Sequence, residues 1–343
     1  MSSFFLKDYD LVSTADKGGA AHGMVSPKWY QTQIDRAELK KLIQRENVPA
    51  LRDALYYYGL MAGFAIFAIA LTPSWASIPF WLAYGVFYAS GSDARWHECG
   101  HGTAFKTPWM NRFVYHIACF MIIRNPVTWR WSHARHHTDT LLVGRDAEIA
   151  VMAPPAAVRL ILNFIGLPDI IDSFRRMVGH IFGQIQPDEA LYTPAHEHKK
   201  IFLIARIWGF VYVLVLASTL YYQSFIPLLL IGGPRIYGSW HFNMTGILQH
   251  AGLRENVTDH RLNTRTVMMN PISRFLYLNM NYHIEHHMFP MVPYYHLPAL
   301  HSLIKHDLPP PSPSIFAAYA EILPILCRQL RGESVFLERE LPQ

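Results

Sequence analysis

The run Ala54–Leu71, ALYYYGLMAGFAIFAIAL, contains no charged residue over 18 positions. As a helix it is about 27 Å long, close to the roughly 30 Å hydrocarbon core of a bilayer. The short turn TPSWAS and another apolar run, Ile78–Ser92, follow it directly. This arrangement predicts a membrane hairpin, although one such run could also be the buried helix of a large soluble protein.

A second hairpin follows later in the chain. Ile201–Ser218 contains a single charge, Arg206, and the turn TLYYQS leads into Phe225–Ile231. The residues 232–234, Gly-Gly-Pro, predict a break or kink in the last of these helices. Two such hairpins argue against a soluble protein, as do 51% hydrophobic and 16% charged residues. We therefore predict an all-α polytopic membrane protein with about four transmembrane helices.

The Lys and Arg residues predict the orientation. Residues 1–53 hold eight of them, residues 93–200 hold twelve and residues 235–343 hold nine, whereas both hairpin turns hold none. The positive-inside rule then makes the three long segments and both termini cytoplasmic. Because this bias explains much of the pI near 9.0, nucleic acid is not needed as a partner.

We expect three parts: a cytoplasmic N-terminal segment (1–53), a membrane domain (54–305) and a cytoplasmic C-terminal tail (306–343). The proline-rich stretch Pro309–Ser314 is interpreted as a linker before an amphipathic stretch, Ile315–Arg331.

Other apolar stretches are too short to cross a bilayer. Phe113–Ile123 is typical of an interfacial or re-entrant segment. Helices around Val158–Ile165 and Ile170–Val178 are expected to lie against the bilayer.

Histidines recur in three clusters on the side predicted to be cytoplasmic. "WHECGHGTAF" contains H-x3-H, and "WSHARHHTDT" and "NYHIEHHMFP" each contain H-x-x-H-H. On a helix, positions i, i+3 and i+4 share a face, so each cluster can direct its imidazoles into one volume. The candidate ligands are His97, His101, His133, His136, His137, His283, His286 and His287.

Eight imidazoles exceed the three or four protein ligands of one zinc ion. They suit two metal ions, and imidazole binds iron, zinc or copper. Redox chemistry at a membrane favours iron.

Two other classes of metalloprotein contain H-E-x-x-H, which here begins at His97. A membrane-embedded zinc protease would pair it with an aspartate in an Asp-Gly context, yet no Asp here precedes Gly. A metal transporter would place its ligands inside the spans, near the bilayer midplane. Neither class explains both H-x-x-H-H clusters.

The three boxes and their position relative to the two hairpins resemble the integral-membrane fatty acid desaturase superfamily, over roughly residues 54–305. By motif, the family's iron ligands correspond to the eight histidines above. A further ligand upstream of the third box corresponds to His250 in "ILQHAG", with His241 and His260 as competitors.

The resemblance implies a non-haem di-iron centre, O2 as co-substrate and a cytoplasmic helical cap that holds the metals. It implies a desaturase of an aliphatic, fatty-acyl chain in a multi-pass membrane location, expected to be a bacterial inner membrane. Hydroxylation, oxidative decarboxylation or desaturation of a small amphiphilic amino-acid-like substrate remain alternatives. No H-P-G-G haem motif occurs, so electrons are expected from an external carrier such as ferredoxin, rubredoxin or cytochrome b5.

Groups beside the boxes are candidates for supporting roles. A ligating histidine usually donates its other N–H to a carboxylate or carbonyl. The candidate carboxylates are Asp139, Asp146, Glu98 and Glu285. Trp129 and Trp131 are interpreted as channel or interface aromatics, and Arg130 and Arg135 as groups for an anionic substrate head or a lipid phosphate.

Overall fold

The computed structural model describes Leu11 and residues 27–342. Within the predicted N-terminal segment 1–53, residues 1–26 other than Leu11 lie outside the described residues. The described part contains helices and two isolated β-bridges but no β-strand, which confirms the all-α class. The helices are α1 (Arg36–Leu42), α2 (Val48–Leu71), α3 (Ile78–Val86), α4 (Ser92–His101), α5 (Pro108–Met121), α6 (Pro126–Asp139), α7 (Ala157–Asn163), α8 (Leu167–Ile181), α9 (Pro187–Ala190), α10 (His198–Tyr222), α11 (Ile226–Leu230), α12 (Pro234–Tyr237), α13 (Trp240–His250), α14 (His260–Asn263), α15 (Pro271–Leu276), α16 (His283–Met288), α17 (Leu297–Ile304) and α18 (Ile315–Leu330).

Two helices are long and apolar enough to cross a membrane: Val48–Leu71, and Ala195–Tyr222, which joins a short 3₁₀ turn to α10. Only 11% and 28% of their most apolar windows are buried inside the protein. Apolar side chains that face outward along a whole helix suit contact with lipid rather than a soluble core. Both helices include the runs predicted from sequence, Ala54–Leu71 and Ile201–Ser218.

Each long helix is followed by an interrupted one. From Ile78 to His101 the chain remains helical, but a π-helical turn, Phe87–Gly91, separates α3 from α4. After α10, the chain breaks at residues 231–233 between α11 and α12, because Ile231 is extended and Gly232 adopts a φ of 86°. The break predicted at Gly-Gly-Pro is therefore present.

The interrupted helices cross at two glycines, Gly85 in α3 and Gly238 after α12. A Cβ added to Gly238 would lie 1.9 Å from the carbonyl oxygen of Gly85. A Cβ added to Gly85 would lie 2.2 Å from the ring of Tyr237. This contact allows the two backbones to approach closely, and it lies near the start of the segment that leads to His250.

We expect Gly238→Ala to lower the free energy of unfolding by about 1–3 kcal/mol, because the added methyl group must displace backbone. Thermal unfolding in detergent measures the change. Gly59→Ala is the matched control, since Gly59 has no atom within 4 Å of an added Cβ and alanine is favoured over glycine within a helix. Equal loss of stability in both variants would contradict the proposed role of the crossing.

The remaining helices pack around the ends of these four segments. Phe113–Ile123 falls largely within α5, which packs along α4. The two predicted interfacial stretches correspond to α7 and α8. Their exposed side chains include Val158, Ile161, Ile171 and Val178, and such an apolar face suits a bilayer surface.

The amphipathic stretch predicted near the C-terminus forms α18. It packs on α13 through Ala318, Ile322 and Leu326, which contact Leu248 and Ala251. The stretch predicted as a linker also makes defined contacts, because the backbone of Ser312 pairs with Thr266 and Met268.

Candidate metal centre

The structure brings all nine predicted histidines together, in two neighbouring groups. Within each group, one ring nitrogen per residue lies within 4.8 Å of all the others. The five-histidine cluster consists of His97, His101, His133, His137 and His286. The four-histidine cluster consists of His136, His250, His283 and His287.

Helical spacing explains this arrangement. In α6, His133 and His137 are one turn apart and face the five-histidine cluster, whereas His136 points into the other. The third box, in α16, does the reverse, since His286 alone joins the five-histidine cluster. The two clusters are adjacent, because the rings of His137 and His287 stack with centroids 4.4 Å apart.

His250, the last residue of α13, completes the four-histidine cluster. Its Nε2 lies 3.2 Å from Nε2 of His283. Neither competitor is a member of the two clusters: His241 contacts Ser273 at 3.3 Å, and His260 lies beside the four-histidine cluster, 5.0 Å from the ring of His287, but stacks on Trp29 at 4.2 Å. The geometry therefore favours His250 for the ninth position.

Within each cluster the Nε2 atoms face one another. In the five-histidine cluster, His133 Nε2 lies 3.0 Å from that of His101 and 3.2 Å from that of His137. Two imidazole nitrogens bound to one metal at about 2.1 Å are about 3.0 Å apart at a right angle and about 3.4 Å apart at the tetrahedral angle. The observed spacings therefore fit a shared cation.

Three imidazoles are held through Nδ1 by groups that only accept hydrogen bonds. His133 bonds the Glu148 carboxylate at 2.9 Å, His136 bonds Asp146 at 2.8 Å and His250 bonds the carbonyl of Asn263 at 2.9 Å. Because a neutral imidazole has one N–H, these bonds fix the proton on Nδ1 and leave the Nε2 lone pair for a metal.

Burial keeps most of the rings neutral. It lowers the pKa well below the usual histidine value, and the neighbouring histidines lower it further, for His97, His101, His137, His250, His283, His286 and His287. Neutral imidazole is the form that binds metals. His97 also has both ring nitrogens buried without a hydrogen-bond partner, and a bound cation would remove that cost for the nitrogen that ligates it.

Two carboxylates modify this pattern. Burial alone would lower the pKa of His136, but the neighbouring Asp146 carboxylate raises it overall. Burial alone would raise the pKa of Glu148, but His133 lowers it overall. One carboxylate therefore accepts from Nδ1 of one imidazole in each cluster, His133 in the first and His136 in the second. Such a bond makes the Nε2 of the same ring a stronger metal ligand.

Of the four carboxylates predicted to support the ligands, Asp146 does so. The other three bond elsewhere: Asp139 pairs with Arg145, Glu98 accepts from Thr103, and Glu285 accepts from Thr266. Sequence reasoning missed Glu148. Its position two residues after Asp146 could have identified it. The Asp146 carboxylate accepts from the Glu148 backbone N–H and closes a turn, which places both carboxylates beside the second box.

Of the aromatic and cationic residues predicted to support the second box, only Trp129 packs beside the histidine clusters. Trp129 packs edge-on against Trp96 at 5.3 Å, and the buried Trp96, which was not predicted, lies 5.2 Å from the ring of His133. Arg135 donates to the carbonyl of Leu191, and Trp131 and Arg130 are exposed. The aromatic wall of the centre is therefore the Trp96–Trp129 pair.

Comparison with known proteins decides the family. A family model described as fatty acid desaturase matches residues 73–319, well over half of the chain. The chain belongs to the fatty acid desaturase family. The matched region includes all nine histidines and both supporting carboxylates.

Curated desaturases are similar to this chain at low identity. An acyl-lipid omega-3 desaturase (cytochrome b5) of the endoplasmic reticulum of Arabidopsis thaliana is 24% identical over 253 residues, 66% of this chain and 65% of the relative. An sn-2 acyl-lipid omega-3 desaturase (ferredoxin) of Arabidopsis chloroplasts is 23% identical over 266 residues, 72% and 58% of the two chains. An sn-1 acyl-lipid omega-3 desaturase (ferredoxin) of Synechocystis sp. is 23% identical over 303 residues, 81% and 82% of the two chains. This desaturase-family chain thus spans just under two thirds of the first relative.

Proposed function

We propose that this protein is an O2-dependent di-iron membrane desaturase that introduces a double bond into a fatty-acyl chain. The observation that carries the proposal is the convergence of nine imidazoles into two adjacent clusters. One zinc ion uses three or four protein ligands, so two clusters argue against a single-zinc protease. The three relatives described above are acyl-lipid desaturases, which supports a lipid substrate.

The five-histidine cluster would hold one iron and the four-histidine cluster the other. When bound, the pair supplies the oxidising power from O2 that unactivated C–H bonds require and that side-chain acids and bases lack. The protein holds the rings in place through Glu148, Asp146 and the Asn263 carbonyl. Burial of the clusters also excludes water, which protects the reacting chain.

We propose four spans: α2, the helical segment Ile78–Ser92, α10, and the segment from α11 to the start of α13, so that the histidines of α4 and α13 lie beyond the cytoplasmic ends of the spans. His97 lies 19 residues after Ile78, so the helix between them extends about 29 Å, the thickness of the hydrocarbon core. The first histidines then lie on the side opposite the charge-free turn, which is the cytoplasmic side by the positive-inside rule. The same orientation makes the helical cap and both termini cytoplasmic. We further propose the division at residues 53 and 305 and a bacterial inner membrane as the location.

Electrons would come from an external carrier: ferredoxin, rubredoxin or cytochrome b5. The names of the relatives include ferredoxin and cytochrome b5, which supports a small redox protein. The surplus of Lys and Arg on the proposed cytoplasmic side would attract an acidic one.

Expression in a host fed a saturated or monounsaturated fatty acid with deuterium along the chain tests the function. We expect a lipid with one new double bond and loss of two deuterium atoms, only when a reductase and carrier are co-expressed. The measurement is mass spectrometry of the extracted lipids. A hydroxylated or shortened product, or none with an active carrier, would contradict the proposal.

A further inference from the structure

Arg265 is a fully buried arginine that binds the end of α13. Its Nη1 donates to the carbonyl of Leu248 at 2.7 Å, and Nη2 donates to that of Ala251 at 3.2 Å. Its backbone N–H donates to Gln249 at 2.9 Å. The last carbonyls of a helix have no partner within the helix, and here one residue satisfies three, on both sides of His250.

The segment that carries Arg265 also contacts the pieces of chain that hold other members of the four-histidine cluster. Asn263 accepts from His250 and donates to the carbonyl of Thr140, whose hydroxyl contacts His287 Nδ1 at 3.2 Å. Thr266 donates to Glu285 at 2.6 Å, within the third box. Residues 263–267 therefore connect the separate pieces of chain that meet at this cluster.

Arg265 is held from the other side by the C-terminal part of the chain. Glu321 in α18 lies 3.8 Å from its Nε and also accepts from Arg339 and Ser312. The backbone of Leu337 donates to Gly252, two residues after His250. The guanidinium thus lies between α18 and the end of α13, where movement of either would shift the histidine.

We infer that Arg265 is the positioning residue for His250, and that through it the C-terminal helix α18 sets the geometry of the four-histidine cluster. The inference rests on the proposed function, because it assigns the arginine a role in holding the second iron. A planar guanidinium can bind two carbonyls at once, which a lysine ammonium does less well. Arginine therefore suits this position because its planar group reaches the carbonyls of Leu248 and Ala251 together, and not only because it is charged.

The test is iron binding by the purified full-length protein, titrated anaerobically with Fe2+ and read as iron per chain and by Mössbauer spectroscopy. Arg265→Met should weaken the four-histidine cluster about 10-fold, the lower end of the effect of losing a group that orients a ligand. Iron per chain then falls from two towards one, with loss of the spectroscopic component of that site. Arg265→Lys should preserve the fold and give an intermediate affinity.

Arg235→Met is the matched control, since Arg235 is also a fully buried arginine but pairs with Asp169 away from both clusters. We expect it to lose thermal stability without selective loss of one iron. Two irons with unchanged affinity in both Arg265 variants would overturn the inference and leave the proposed function intact. Fewer than two irons in the unsubstituted protein would overturn both.

Discussion

His136→Ala is expected to abolish formation of the double bond. His136 is one of four imidazoles in its cluster, and the Asp146 carboxylate that accepts from its Nδ1 orients the ring and makes Nε2 a stronger metal ligand. The substitution removes that donor and leaves the Asp146 carboxylate without its imidazole partner. Lipid analysis should detect no product, and iron per chain should fall from about two to about one, since three imidazoles remain in an opened site.

His116→Ala is the matched control for this prediction. His116 is exposed on α5, and its ring contacts Tyr115; it belongs to neither cluster. Product and iron content should match those of the unsubstituted protein. Product at an undiminished level in His136→Ala would refute the assignment of the four-histidine cluster.

Glu148→Gln is expected to reduce activity and iron affinity by about 10- to 100-fold, the usual cost of losing a group that orients a ligand. The neutral amide keeps the shape of the side chain but loses the charge that accepts from His133 Nδ1 at 2.9 Å and from Ser132 at 2.8 Å. Without that charge, His133 is free to place its proton on Nε2, which faces the metal. Single-turnover rates and iron titration measure the effect.

Asp139→Asn separates this role from a general effect of losing a buried carboxylate. Asp139 lies on the same helix as His133 but pairs with Arg145 and Arg135. We expect its loss to reduce stability and to leave iron affinity within about twofold, because it bonds no ligand. Iron affinity that falls more in Asp139→Asn than in Glu148→Gln would reverse the assignment of the supporting carboxylate.

Local spacing made much of the centre predictable. Histidines at i, i+3 and i+4 on a helix must project to one side, so the three boxes identified eight ligand candidates before any fold was known. The two long apolar helices and the break at Gly232 were likewise predictable from local composition. Assignment of His250 needed the family resemblance, because a single histidine carries no spacing of its own.

Long-range contacts supplied the rest, and local sequence does not encode them. Arg265 resembles any other cationic residue until α13 and α18 pack on both sides of it. The stretch Pro309–Ser314 is typical of a linker by composition, yet Ser312 pairs with Thr266. Glu148 lies 15 positions from His133 in the sequence, and the turn that joins them has no helical period.

Each H-x-x-H-H box contributes to both clusters, so the two clusters depend on the same two helices. One residue inserted within α6 would rotate every later side chain of that helix by about 100° and would dismantle both sites together. Loss of one imidazole opens one cluster, whereas a change in the length or pitch of either helix disturbs both. The distance between the two clusters is therefore set by the pitch of the helices that carry the boxes.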